Sequence, residues 1–174
     1  MGLKNPLINF MIYALLAASI SLSIYYLPDY YFLELITAQH SAIVLNLMGI
    51  QAKAWSIENK AFLNEVQIVR DCTGIQVIAV FAGILLPLPR VSWKRKFFAI
   101  SIVAISVYLA NIARIALEMW LLYTGILPWS LAHYPLGIVL GVFSVAFLVI
   151  VANFFIPEIS EFIYSLSKEL KKYF

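Results

Sequence analysis

Three residues in this chain could carry out acyl transfer: Cys72, Arg114 and His133. A cysteine attacks a carbonyl as its thiolate, and the thioester it forms divides one difficult acyl transfer into two easier steps. An arginine keeps its charge at every physiological pH and can stabilise either that thiolate or the tetrahedral oxyanion. A histidine can hold a proton at neutral pH, give it to a departing amine and then assist the incoming nucleophile. Three neighbours fit supporting parts. Asn111 lies three residues before Arg114, so both project from one helix face, where Asn111 can orient the guanidinium or serve as an oxyanion donor. Thr73 can bond the backbone where a helix begins, and Gly74 lets the backbone pass close to a substrate.

Each of these residues also has a plain structural use. A lone cysteine in an apolar chain is ordinarily a small packed residue. Arg114 can pair with Glu118 at i,i+4, which makes a membrane charge tolerable. His133 stands beside an aromatic belt of Trp120, Tyr123, Trp129 and Tyr134 around the Gly125/Pro128 turn, as expected at a water interface. His40 has no matched partner and reads as a satisfied polar contact within a helix. Asp71 would disfavour a thiolate next to it, so it reads as a solvated loop charge. Ser130 lacks a nucleophile elbow. With 1 cysteine, the chain can build neither an intrachain disulfide framework nor a multi-cysteine metal site. No Gly-rich phosphate loop or metal-ligand cluster is present in the sequence, and no metal or cofactor is expected.

The elements that must position these residues are membrane helices. Hydrophobic residues make up 63% of the chain and charged ones 12%, a balance that a soluble domain of this length could not carry without exposing sticky surface. The expected fold class is an all-α polytopic membrane protein: one domain over residues 1–174, a bundle of four to five transmembrane helices. Spans are expected at about residues 6–27, 73–89, 97–122 and 135–156, each close to the roughly 20 residues that cross hydrocarbon. The first reads as an uncleaved anchor. Residues 31–50 are long enough to cross but carry Glu34, Thr37, Gln39, His40, Ser41 and Asn46, so they either cross within the bundle or lie along the outer surface. The alternation in Glu65 to Arg70 resembles a short strand, and Ala54 to Ile57 could pair with it across a turn near Glu58, Asn59 and Lys60, giving a small hairpin-like extracytoplasmic cap. Residues 158–174 read as a cytoplasmic amphipathic helix, with Ile159, Phe162, Ile163, Leu166 and Leu170 on one side and Lys168, Lys171 and Lys172 on others.

Charge sets the orientation. Arg90, Lys94, Arg95 and Lys96 form a basic loop that the positive-inside rule places in the cytoplasm, and such clusters are membrane anchors, not a nucleic-acid footprint. The opposite end of the preceding span, with Cys72, is then outside. With Lys4 also inside, residues 31–50 are interfacial and four crossings follow; if residues 31–50 cross, the N-terminus lies outside and the count is five. From Lys96 a span of about 20 residues reaches the outer boundary near Ala116, so Arg114 lies within one turn of that surface. Cys72 and His133 flank their spans at the same level.

These residues together resemble the exosortase/archaeosortase family of membrane transpeptidases. Cys72-Thr73-Gly74 matches the family's Cys-Ser/Thr-Gly, Asn111-Ile112-Ala113-Arg114 its Asn-x-x-Arg, and His133 stands at the start of the last span. The resemblance covers roughly Thr37 to Phe155. It implies Cys72 as nucleophile, Arg114 as thiolate or oxyanion stabiliser and His133 as acid and base, with the active site at the extracytoplasmic face of the cell membrane. It also implies partners: the C-terminal sorting signal of exported proteins, made of a short motif, a hydrophobic helix and a basic tail, and a lipid-linked or surface amine that accepts the new carboxyl end, all among membrane lipids. Two other readings remain open. Water as acceptor would make the same site a membrane cysteine protease, and a non-enzymatic scaffold or transporter subunit would use Arg114 and Glu118 only as an ion pair.

Overall fold

The computed structural model describes residues 6–128, 130–131 and 135–170. It is mainly helical, in the order α1 (Pro6–Tyr26), α2 (Tyr31–Leu47), β1 (Ala54–Ile57), β2 (Lys60–Leu63), β3 (Val66–Ile68), a 3-10 turn (Arg70–Thr73), α3 (Ile75–Leu85), α4 (Trp93–Tyr123), α5 (Pro135–Phe155) and α6 (Glu158–Leu170). Among the described residues three helical stretches are long and apolar enough to cross a membrane: Ile8–Tyr26, Trp93–Tyr123 and Gly137–Phe155. They leave large apolar side chains outside, such as Leu15, Leu22, Phe143 and Ile150, which suits a hydrocarbon surrounding. The segment expected to span residues 73–89 is helical only over Ile75–Leu85. Its 11 residues rise roughly 16 Å, about half the thickness of a bilayer core. The helix is shortened at both ends, by the 3-10 turn and Gly74 (φ 76°) before it and by the Pro87-Leu88-Pro89 sequence after it.

The chain forms two compact units. One comprises residues 28–75 and 105–147 and holds the sheet. Here α2 buries Thr37, Ala38, Ser41, Ala42 and Leu45, a stripe at helical spacing made mostly of small residues, which let the helix backbone come close to its neighbours. With Leu45, the side chains of Leu63, Ile68, Ile115, Ala116 and Met119 complete that core. Asn46 closes the end of α2 by bonding both backbone groups of Ala52 at 2.9 and 3.0 Å.

The cap is a three-stranded antiparallel sheet, order β1-β2-β3, instead of the single hairpin expected from sequence. The turn at Glu58 and Asn59 is where it was expected, with φ of 48° and 59°, the backbone a two-residue hairpin turn requires. The partner of β1, however, is β2, and Val66–Ile68 pairs on the far side of β2. A second turn, at Asn64 (φ 51°) and Glu65, makes this possible. Trp55 stacks on Phe62 across the first pair, with ring centroids 4.4 Å apart. Asn64 and Glu65 bond the Tyr123 hydroxyl at 3.0 and 3.2 Å, tying the cap to the end of α4.

The other unit comprises residues 1–27, 76–104 and 148–174. Its core is Tyr13, Leu85, Leu88, Val91, Ala99 and Ile156, on which Ile159 and Phe162 of α6 pack. The amphipathic tail thus has its apolar side against protein over its first turns; Lys171 and Lys172 lie outside the described residues. Of the basic residues expected in a loop, Lys94, Arg95 and Lys96 instead lie in the first turn of α4, and Lys96 is buried with its ammonium donating to the Leu86 carbonyl at 2.5 Å. Arg95 reaches across 63 residues to make a bidentate bond with Glu158 at 2.6 and 3.1 Å.

Candidate active site

The turn that carries Cys72 is built by its neighbours. The Thr73 hydroxyl donates to the Arg70 carbonyl at 2.7 Å and accepts the Ile75 N–H at 3.3 Å, so one buried side chain closes the 3-10 turn and caps α3. Gly74 follows in the left-handed region, and a Cβ there would fall 2.8 Å from Val107 Cγ1 on α4. The turn can therefore lie against α4 only with glycine at this position. Asn111 fixes the approach: its amide donates to the Cys72 carbonyl at 2.5 Å and its Oδ1 accepts from Arg114 Nη2 at 3.1 Å. One side chain thus bonds to the Cys72 backbone and to the Arg114 guanidinium. The Arg70 guanidinium lies over the Tyr30 ring at 5.4 Å, holding the start of the turn.

Cys72 and Arg114 line one cavity of about 170 Å³, together with Val66, Gln67, Ile68 and Val69 on one wall and Ile115, Glu118 and Met119 on the other. Glu118, almost fully buried, accepts from Arg114 Nη1 at 2.7 Å. Gly137 of α5 packs on this pair; a Cβ there would lie 3.2 Å from Glu118 Oε1 and 3.7 Å from Arg114 Nη1. The thiol is half-buried and free. Burial is the largest influence on it and pushes its pKa up. A hydrogen bond from the Val69 backbone and the positive charge of Arg114 oppose this, while Glu118 and Asp71 add to it. The thiol thus has both a cation and an anion within electrostatic reach.

The structure therefore brings Cys72, Thr73, Gly74, Asn111 and Arg114 together. His133, Trp129 and Tyr134 lie outside the described residues. Two features of the site are not apparent from the residue pattern. Glu118 is a wall of the cavity as well as a partner for Arg114, which the i,i+4 spacing could have signalled. The strand Val66–Ile68 with Val69 forms the opposite wall, and nothing in its alternation distinguishes a cavity lining from a cap. His40 bonds Tyr108 of α4, with Nδ1 and the hydroxyl 2.8 Å apart, in keeping with a satisfied polar contact.

A family model described as transmembrane exosortase matches residues 3–152. The chain belongs to that family. Neither curated proteins nor solved structures give a significant match. Exosortase membership and the three long apolar helices make this a membrane protein, and the family points to a sorting transpeptidase or protease.

Proposed function

We propose that this exosortase is a cysteine transpeptidase that cleaves the C-terminal sorting signal of exported proteins at the outer face of the membrane. The carrying observation is that one cavity is lined by both Cys72 and Arg114, with Asn111 bonded to the backbone of one and the side chain of the other. The Cys72 thiol gives up its proton, and sulfur attacks the scissile carbonyl carbon. Arg114 stabilises the negative charge, first on sulfur and then on the carbonyl oxygen. His133 takes the thiol proton and passes it to the departing amine as the C–N bond breaks, leaving a thioester on Cys72. An acceptor amine, lipid-linked or on the surface, then attacks the thioester, giving a proton to His133 and releasing sulfur. The raised thiol pKa fits this sequence, because a base is then needed to generate the nucleophile when substrate arrives.

The test is to trap a substrate-derived thioester on the purified protein and identify its site by mass spectrometry. The expected adduct is on Cys72, and Cys72→Ala should abolish processing. Retained processing in that variant would overturn the proposal. The released product separates the two possible acceptors, since transfer leaves an amine adduct on the new C-terminus and hydrolysis leaves a free carboxylate.

A further inference from the structure

We propose that the substrate's scissile segment binds as a fourth strand on the free edge of β3, bonded to the backbone of Gln67 and passing its carbonyl to Cys72. This rests on the peptide-cleaving role given above for the site. The strand order leaves β3 paired on one side only. Both turns of the sheet have two residues, with Ile57 opposite Lys60 and Leu63 opposite Val66. The pair flanking such a turn is hydrogen-bonded, and bonded and non-bonded pairs alternate from there. Val66 and Ile68 therefore direct their N–H and C=O groups at β2, while Gln67 and Val69 direct theirs outward. Val69 already has a partner in Cys72, whose N–H donates to the Val69 carbonyl at 2.8 Å. Gln67 has no backbone bond beyond the sheet among the described residues, which leaves its outward donor and acceptor ready for another strand.

The cavity lies along this edge. Successive side chains of a strand point to opposite faces, so a strand that offered a face to the cavity would line it with alternate residues. Val66, Gln67, Ile68 and Val69 line it consecutively, so the strand's edge borders it. At about 170 Å³ the cavity is well below the roughly 300–1,000 Å³ of a small-molecule site. It suits a narrow extended segment. A peptide paired with β3 would lie about 4.8 Å from it, with Arg114 and Glu118 on its other side. Running past Val69, it would meet the thiol that the 3-10 turn places at the end of the strand. Pairing by backbone supplies affinity independent of sequence and leaves specificity to alternate side chains.

The probe is a reporter whose randomised extracytoplasmic segment precedes one hydrophobic helix and a basic tail, from which the fastest-processed member is taken. Gln67→Pro removes the outward N–H without touching the ladder, as an edge strand tolerates, and Gln67→Ala removes only the side chain. Gln67→Ala loses the side chain but keeps that N–H and so serves as the reference: Gln67→Pro should process about tenfold more slowly than Gln67→Ala, the weight of one lost backbone hydrogen bond, with Cys72 alkylation equal in both. Processing by a folded Gln67→Pro protein at the Gln67→Ala rate would overturn the proposal. A second measurement does not depend on that variant folding. In a Cys72→Ala, Gln67→Cys protein, the single thiol is crosslinked to a series of reporters carrying one cysteine each. Crosslinks at every second reporter position support strand pairing, and a helical period or no pattern overturns it. If the wild type forms its thioester while these tests fail, strand docking alone is wrong; if Cys72→Ala still processes, the catalytic role itself is wrong.

Discussion

Two arginine–carboxylate pairs of nearly equal length do different work in this protein. Arg114 and Glu118 lie 2.7 Å apart on one helix, with side chains 20% and 4% exposed. Arg95 and Glu158 lie 2.6 Å apart across two helices, 46% and 26% exposed. Distance alone would make them equivalent. Their surroundings differ: the first pair forms the wall of a cavity that also holds a thiol, and the second crosslinks the first turn of α4 to the start of α6. A buried charge is expensive to desolvate, and replacing such a pair by apolar residues is often neutral or stabilising, so stability alone gives weak reason to place one there. Under the proposed function its use is electrostatic, in setting the charge that Cys72 and a reacting carbonyl would experience. The exposed pair is a structural clasp that water screens.

The largest effect expected from breaking this contrast comes from Arg114→Ala. It leaves a buried carboxylate uncompensated, which costs about 3–5 kcal/mol, and it deprives the developing oxyanion of its donor. Processing should fall to background, and thermal unfolding in detergent should show a clear loss of stability. Arg114→Lys separates the two losses. The lysine keeps the charge but cannot bond Glu118 and Asn111 through one planar fork, so stability should largely return while the rate stays roughly 10²–10³-fold down, the usual effect of a misplaced oxyanion donor. Full activity in Arg114→Lys would make the pair a mere counterion arrangement.

Much of this contrast can be read in the residue types, and the remainder depends on packing. Arg114 and Asn111 on one helix face, Glu118 one turn on, and Thr73-Gly74 after the cysteine all follow from spacing, because helix geometry fixes which residues are neighbours. The long apolar helices follow from composition. The stripe by which α2 packs is harder to see, since Thr37, Ala38, Ser41 and Ala42 serve close approach and not hydrophobic bulk. The middle strand is hard to see for a related reason: Lys60-Ala61-Phe62-Leu63 has a polar start and no clean alternation, and its pairing is decided by the positive φ of Asn64, a long-range consequence of a local turn. The Arg95–Glu158 link spans 63 residues, a separation no local pattern encodes.

A middle-sized effect should come from Glu118→Gln. The Glu118 carboxylate raises the Cys72 pKa, so the neutral amide should lower it; Arg114→Gln removes a charge that lowers it and should raise it further. Alkylation of Cys72 by iodoacetamide, followed from pH 6 to 11, reads both. The wild-type midpoint should lie above the ordinary thiol value of 9.0, with Glu118→Gln below the wild type and Arg114→Gln above it. The same midpoint in all three would show that the pair does not act on the thiol.

The smallest effect should come from Arg95→Ala. The hydrogen bonds from Arg95 hold the Glu158 carboxyl below the usual carboxylate range, so any stability the pair contributes is present at neutral pH and lost as pH falls through the folded value. Because both side chains are open to water, that contribution is about 0–1 kcal/mol and should shrink further in high salt. Arg95 also donates to the Phe155 carbonyl at 3.0 Å, where α5 ends, so its removal should loosen the junction between α5 and α6 more than it lowers global stability. Hydrogen exchange resolves the two: faster exchange should be confined to the first turn of α6, with processing and Cys72 alkylation unchanged. A loss of processing as large as that from Arg114→Ala would show that the clasp and the catalytic pair are coupled, and the contrast between them would then fail.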